Sequence, residues 1–415
     1  MTSVTDDDRR AFGARIAGLR AERGMTQKQF AAEIGRTPSW LSQVERGVQP
    51  VNRLDVLRLL GDALGVSVQD LRPDAPQGSE ARAQDPAPND LDQARLLISG
   101  HPALDVVLAT EGPGETPDLA DLSSDVDSIW RSAHGDRFAE LSAELGRSLP
   151  RLERATRTAA AKDRPEVYAL LARAYHALSA AFVRQNEADA AWVAADRSIS
   201  AAERSGRALD VFAGIFRLAH AFVRLKRYDQ AEHAARSAAN VLRRHTDDPE
   251  RVTEEALSLL GALHLVLALV YARSEDRSGA RKEVECARRI ARQLASDRND
   301  FDLEFGPTNV EIQAVSVAVD LGDAGEAVHI GEALDASHLS AERQARLAMD
   351  LGRAHAQLRH GGEALRWFLR AEELSPEMVQ SHVAARAAVR DLMLVAGRSA
   401  PVELKRLAER TDAMA

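Results

Sequence analysis

The sequence predicts an all-α protein, a five-helix head joined by a linker to a longer solenoid of repeated helices, and three observations carry that prediction. Aromatic residues make up only 4% of 415 positions, and alanine and leucine dominate, which favours helix-on-helix packing over sheets. Charge is divided unevenly: 9–58 holds ten basic residues against four acidic ones, a net +6, within a chain whose total is −9. The remaining −15 makes an acidic body that a polyanion would repel, and a basic head that it would attract. Finally, Ala181-Phe-Val-Arg184 recurs as Ala221-Phe-Val-Arg224, forty residues later, as a repeated unit would.

The head reads as five elements in order. A helix over 10–23 sets Phe12, Ile16 and Leu19 on one face and stops at Gly24. Thr26 caps a second over 27–34. Gly35 then permits a left-handed turn, and Ala31 is small enough for two helices to touch. A third runs over 37–46, with Thr37 as cap, Pro38 at the first helical position and Gly47 past its end. Phe30, Ile34, Leu41 and Val44 fall on the inner face of this pair. The fourth, over 53–64, buries Leu54, Leu57, Leu60 and Leu64, and a short fifth follows a Ser67 cap.

Over about 65 residues this pattern resembles the Cro/cI-type (Xre-like) helix-turn-helix regulators, which have a lambda-repressor-like fold. The resemblance rests on Arg20 with Arg23-Gly-Met-Thr-Gln27, on Ser39-Trp-Leu-Ser-Gln-Val-Glu-Arg-Gly47 and on Leu64-Gly-Val-Ser67. It implies that the third helix enters the major groove of double-stranded DNA, with Pro38, Ser39, Ser42 and Gln43 at the groove and Thr37 and Trp40 nearby. Gln43 is the best base reader, because its amide can pair bidentately with adenine. Gln27 takes the family's phosphate-clamping position at a helix N-terminus. Arg36, Arg46 and Arg53 are either phosphate contacts or solvated surface arginines, and Trp40 either touches DNA or packs beneath its helix. Pro38 replaces a residue that is often polar in the family, so base preference does not carry over. Such heads bind short half-sites weakly, which implies a homodimer on a two-fold site.

The proline-rich stretch from Pro73 reads as a linker, 73–117 as linker and irregular chain, and 118–415 as the repeat body. Within 91–117, short helices are expected over 91–99 and 102–110. Ala191 pairs with Ala231 at the forty-residue offset, and related units follow from Ala268, Val317 and Leu351. Ala231, Ala280, Ala327 and Ala364 let paired helices approach closely. The unit at 351–376, with its Leu351-Gly352 pair, Ala364 and Pro376, resembles the tetratricopeptide pattern. The head-plus-repeat architecture is similar to that of peptide-responsive Gram-positive regulators, which weakly implies a peptide signal. Stacked hairpins share one core and curl around a concave face. Arg184, Arg224 and Arg273 end successive first helices, where they either line that face or simply complement helix dipoles. Asn309, Glu311 and Gln313 open another helix as polar residues that could face a ligand.

Other chemistries find little footing. Gly261 to Ala272 is the longest apolar stretch, too short to span a membrane, and the acidic N-terminus lacks an apolar signal region, so a cytoplasmic protein is expected. Cys286 alone excludes an intrachain disulfide and a cysteine-cluster zinc site, and reads as a half-buried helical residue. His355 and His360, five apart, fall off a shared helix face, and no other histidine pair has zinc spacing. Without a phosphate loop or nucleophile elbow, neither cofactor nor enzymatic role is expected. The reading is a sequence-specific transcriptional regulator whose body senses a peptide or small ligand or binds a protein. Its alternative is a scaffold whose repeats recruit a partner while the head tethers it or dimerises.

Overall fold

A computed structural model describes residues 6–34, 38–48, 51, 54–66, 68–71, 89–107, 118–294 and 296–414. The chain divides into two compact units, Met1–Pro86 and Ala87–Ala415, and is all-α, with no strand among the described residues.

The first unit contains α1 (Asp6–Glu22), α2 (Gln27–Glu33), α3 (Pro38–Glu45), α4 (Leu54–Leu64) and α5 (Val68–Leu71). Helix α1 starts four residues before the expected position, and α4 one residue after it. Thr26 and Gln29 close a capping box: the Thr26 hydroxyl accepts from the Gln29 backbone N–H, and the Gln29 side-chain Oε1 accepts from the Thr26 backbone N–H at 2.9 Å. Ile16, Phe30, Ala31, Leu41, Val44 and Leu60 have no exposed surface and form the head's core. The expected turn at Gly35 and the caps at Thr37 and Ser67 lie outside the described residues.

The second unit opens with α6 (Asp92–Ile98) and a 3-10 turn at Leu104–Val106. Leu91, Ala94 and Ile98 are buried in one core with Leu141, Leu145 and Leu178, so part of the stretch read as linker belongs to the body. Six helical hairpins follow: α7 (Leu119–His134) with α8 (Phe138–Thr158), α9 (Arg164–Arg184) with α10 (Ala188–Ser205), and α11 (Ala208–Arg224) with α12 (Tyr228–Thr246). Then come α13 (Glu254–Arg273) with α14 (Arg277–Leu294), α15 (Pro307–Asp320) with α16 (Ala324–Glu332), and α17 (Ala341–Gln357) with α18 (Gly361–Leu374). Helices α19 (Pro376–Ser381), α20 (Val383–Ala396) and α21 (Val402–Arg410) cover the end.

Every hairpin turns in one way. Asp136, Asn186, Lys226, Glu275, Gly322 and Arg359 each take a left-handed conformation, with φ between 52° and 79°. The next N–H reaches back five residues, as in Glu187 to Phe182 (2.8 Å), Arg227 to Phe222 (2.9 Å) and Asp276 to Tyr271 (2.9 Å). Five residues beyond five of these turns stand Ala191, Ala231, Ala280, Ala327 and Ala364, all without exposed surface. A larger side chain there would force the paired helices apart. The body's ends also meet. Asn89 donates to the Asp136 carbonyl (2.8 Å) and to Glu377 (3.0 Å), and Ser375 hydrogen-bonds the Asp136 carboxylate.

Helix α13 is long and apolar enough to cross a membrane, a longer run than the sequence reading allowed. It packs between α12, α14 and α15, and most of its residues are buried. Its Gly261 receives the next loop: a Cβ there would stand 1.9 Å from the ring of Phe305. Phe301, Asp302 and Glu304 all have positive φ, so the segment after α14 folds inward over the concave face. Gly261→Ala should therefore cost about 1–3 kcal/mol of body stability. In a chain that already carries Phe305→Ala, the same change should cost almost nothing. Equal losses in both backgrounds, measured by urea denaturation, would contradict this seating.

Candidate functional sites

In the head, α3 is fixed from behind. Leu41 and Val44 pack on Phe30, Ala31 and Ile34. Helix α1 approaches so closely that a Cβ on Gly13 would lie 2.4 Å from the carbonyl oxygens of Val44 and Glu45. Glu45 accepts from Arg20 at 2.6 and 3.1 Å and from the Gln27 amide at 2.6 Å. Arg20 also donates to the Met25 carbonyl at 2.7 Å, so one carboxylate ties α1, α2 and α3 together. The hydrogen bond to Glu45 holds the Arg20 guanidinium above its ordinary pKa, against the opposing effect of burial.

On α3, Pro38 is exposed while Ser42 and Gln43 are half-buried, and Arg46, just past its end, is exposed. The Gln43 amide makes no hydrogen bond among the described residues. Arg46 donates to the Ser42 carbonyl at 3.2 Å. Trp40 is half-buried against the head's core. Ser39 lies on α3, and Arg36, Thr37 and Arg53 fall outside the described residues. Gln27, read as a phosphate clamp, commits one N–H to Glu45. Not all of the head's arginines are idle surface cations: Arg15 donates to the Asp70 and Leu71 carbonyls and Arg23 to that of Ala63. Those carbonyls end helices and need donors.

In the body, the hairpins surround a partly open cavity of about 120 Å³. The residue two before each left-handed turn faces it in five hairpins: His134, Arg184, Arg224, Arg273 and Asp320. Asn309 and Gln313, one helical turn apart on α15, line it too, so the structure brings together all five residues chosen for the repeat groove. Glu311 does not join them, because it pairs bidentately with Arg288 at 2.7 and 2.8 Å.

Seven arginines and four carboxylates line the cavity. Arg184 pairs with Asp136 at 3.1 Å, and Arg343 with Glu304 (3.1 Å) and Glu342 (3.3 Å). Asp320 is shared by Arg273 (3.3 Å) and Arg353 (2.6 Å), and Arg353 also holds Asp350 (2.7 Å). Arg217 donates to His176 (2.7 Å) and to the Asp302 carbonyl (3.0 Å) but meets no carboxylate; burial, with Arg184 and Arg343 nearby, pushes its pKa down to about 9. Arg224 is pushed to about 9 as well, by burial and then by Arg346 and Arg273.

Turns and pairing also assemble clusters that linear spacing hid. The turn at Arg359 reverses the chain, so the rings of His355 and His360 meet with centroids 5.7 Å apart, although a continuous helix would separate them. His264, Glu283 and the half-buried Cys286 bring ligand atoms within 4.8 Å of one another across α13 and α14. Arg236 lies 3.7 Å from Glu283, and Arg289 donates to the Cys286 sulfur at 3.1 Å, which puts two cations where a metal would need none. Gly13, Glu45 and Asn89 escaped the sequence reading of roles, since nothing local marks a residue whose partner is far along the chain.

Two expectations follow. Glu45→Ala leaves Arg20 without its partner and should destabilise the head by about 3 kcal/mol, read from its unfolding transition. An unchanged transition would exclude the tie. His176 and His382, both buried, are held well below the ordinary histidine pKa of 6.5, first by burial and then by nearby arginines, Arg217 for His176 and Arg346 for His382. Below that value the unfolded chain takes up protons that the folded chain does not, so stability must fall on acidification. The melting temperature of the body should drop between about pH 7 and about pH 5.5, and drop less in His176→Gln. A flat profile would contradict their neutral burial.

Residues 11–75 match the family described as a helix-turn-helix domain. No curated protein and no solved structure matches the chain. The head of this protein is thus a helix-turn-helix domain of the DNA-binding regulator kind.

Proposed function

We propose that this chain is a cytoplasmic, sequence-specific transcriptional regulator of the Cro/cI type, working without an enzymatic step and binding a two-fold site as a homodimer. One observation carries the reading: a helix-turn-helix in which α3 is buttressed by Arg20, Glu45 and Gly13 while the Gln43 amide makes no hydrogen bond among the described residues. A base reader must be held rigidly, because a bidentate contact tolerates little displacement. Arg46 and Gln27 flank it as backbone contacts, the second N–H of Gln27 still free to donate to phosphate.

The body is the sensing part. Its tetratricopeptide-like hairpins turn their polar inner positions toward a partly open cavity, which suits a small ligand or a short peptide end better than a broad protein surface. A ligand seated there can alter DNA binding only through different affinity for two states of the protein.

Gln43→Ala should lose preference at one base pair, a cost of about 1–3 kcal/mol there, and retain non-specific affinity. Arg46→Ala should weaken all duplexes alike and reduce the salt dependence by about one counterion. Competition titrations with matched and mismatched duplexes separate the two. A uniform loss in Gln43→Ala would remove Gln43 from base reading.

A further inference from the structure

Three side chains at one end of the body's cavity share an unusual condition. Arg224 and Arg346 have no hydrogen bond or ion pair among the described residues, and the Arg346 Nε is buried with no partner. His382 caps α20: its Nδ1 accepts the Ala385 N–H at 3.2 Å, which places the ring proton on Nε2. That Nε2 is buried, lines the same cavity and has no acceptor. Asn309 lines the same cavity, and its Oδ1, on a residue 3% exposed, is buried with no donor among the described residues. Such groups are costly to leave unmet: buried charges need counter-charge and buried donors need acceptors. The carboxylates nearby form their ion pairs elsewhere, Asp320 with Arg273 and Arg353, Glu304 and Glu342 with Arg343, and Glu342 and Asp320 act on Arg346 and Arg224 only through space. Phe216, Leu265, Leu269 and Phe305 supply an apolar wall.

We propose that this end of the cavity binds the anionic headgroup, carboxylate or phosphate, of a small ligand with an apolar body. Arg224, Arg346 and the Nε2–H of His382 take the headgroup, and Asn309 accepts from an N–H or O–H of the ligand. The inference rests on the body being the sensing part and names the chemistry of what it senses. A headgroup at this place would neutralise two guanidiniums whose charges now repel one another and would satisfy the orphaned imidazole N–H.

The test uses the full chain without DNA, titrated calorimetrically at low ionic strength with octanoate and with octyl phosphate, against octanol and sodium chloride as controls. Saturable binding of at least one anion and none of octanol is expected, and the tighter anion identifies the headgroup. Arg346→Met and Arg224→Met should each weaken that binding about tenfold or more, while the unliganded protein melts no lower than the parent, because a half-buried charge with no ion pair among the described residues has been removed. Arg346→Lys, which keeps the charge, should bind at an intermediate level. The proposal is overturned if neither anion binds, if octanol binds as well as octanoate, or if the arginine variants bind as the parent does. It is equally overturned if those variants melt well below the parent while Arg346→Lys also fails to bind, because the arginines would then be structural. Anion binding that leaves DNA affinity unchanged would keep the site and remove the sensor reading; salt-dependent DNA binding without anion binding would remove the site alone.

Discussion

The body depends on one repeated constraint, the left-handed residue at which each helix pair reverses. The following N–H bonds to a carbonyl five residues back, so the same locally fixed turn recurs in all six hairpins. A small residue is then needed where the second helix crosses the first, and alanine occupies that place in five of them. The residue two before the turn is directed inward in five hairpins, whatever its identity. The chemistry of the concave face is thus written largely at one position of the repeat, as His134, Arg184, Arg224, Arg273 and Asp320. Five of the six turn residues are not glycine, a backbone cost of about 1 kcal/mol each that the flanking hydrogen bonds must offset.

How much of this was legible follows from the range over which each feature is encoded. The head's helices depend on short-range signals, such as Thr26 and the apolar spacing of Phe30, Ile34, Leu41 and Val44, and these could be read directly. The hairpin alanines were also visible, because Ala191 and Ala231 sit in near-identical surroundings. The repeat length was not, since second helices range from 9 residues in α16 to 21 in α8 and hide the common turn. Contacts over long distances left no local trace: Asn89 looked like the end of a linker, yet it joins the first hairpin turn to Glu377. The sequence also placed Arg184, Arg224 and Arg273 at one register, without separating a groove wall from a helix-dipole partner. Their pairing separates them now: Arg184 and Arg273 form ion pairs with carboxylates, and Arg224 forms none among the described residues.

Charge organises both units, in opposite ways. The head spends Arg20 on Glu45 and turns Arg15 and Arg23 onto helix ends, leaving Arg46 and Lys28 among its exposed cations. The body is acidic overall, yet it gathers arginine inside, where low polarity amplifies each unpaired charge. An acidic exterior disfavours the DNA backbone, and a basic interior favours a small anion. On the proposed reading, the two units attract anions of different size by the same force.

The central claim is that α3 reads the sequence of duplex DNA. Selection of bound duplexes from a random pool by the full chain, repeated at low and at moderate salt, tests it most directly. The account predicts enrichment of a short motif in two-fold repeat, with half-site centres about one helical turn apart, persisting at moderate salt. A pool that stays random, with binding that disappears uniformly as salt is raised, would contradict it.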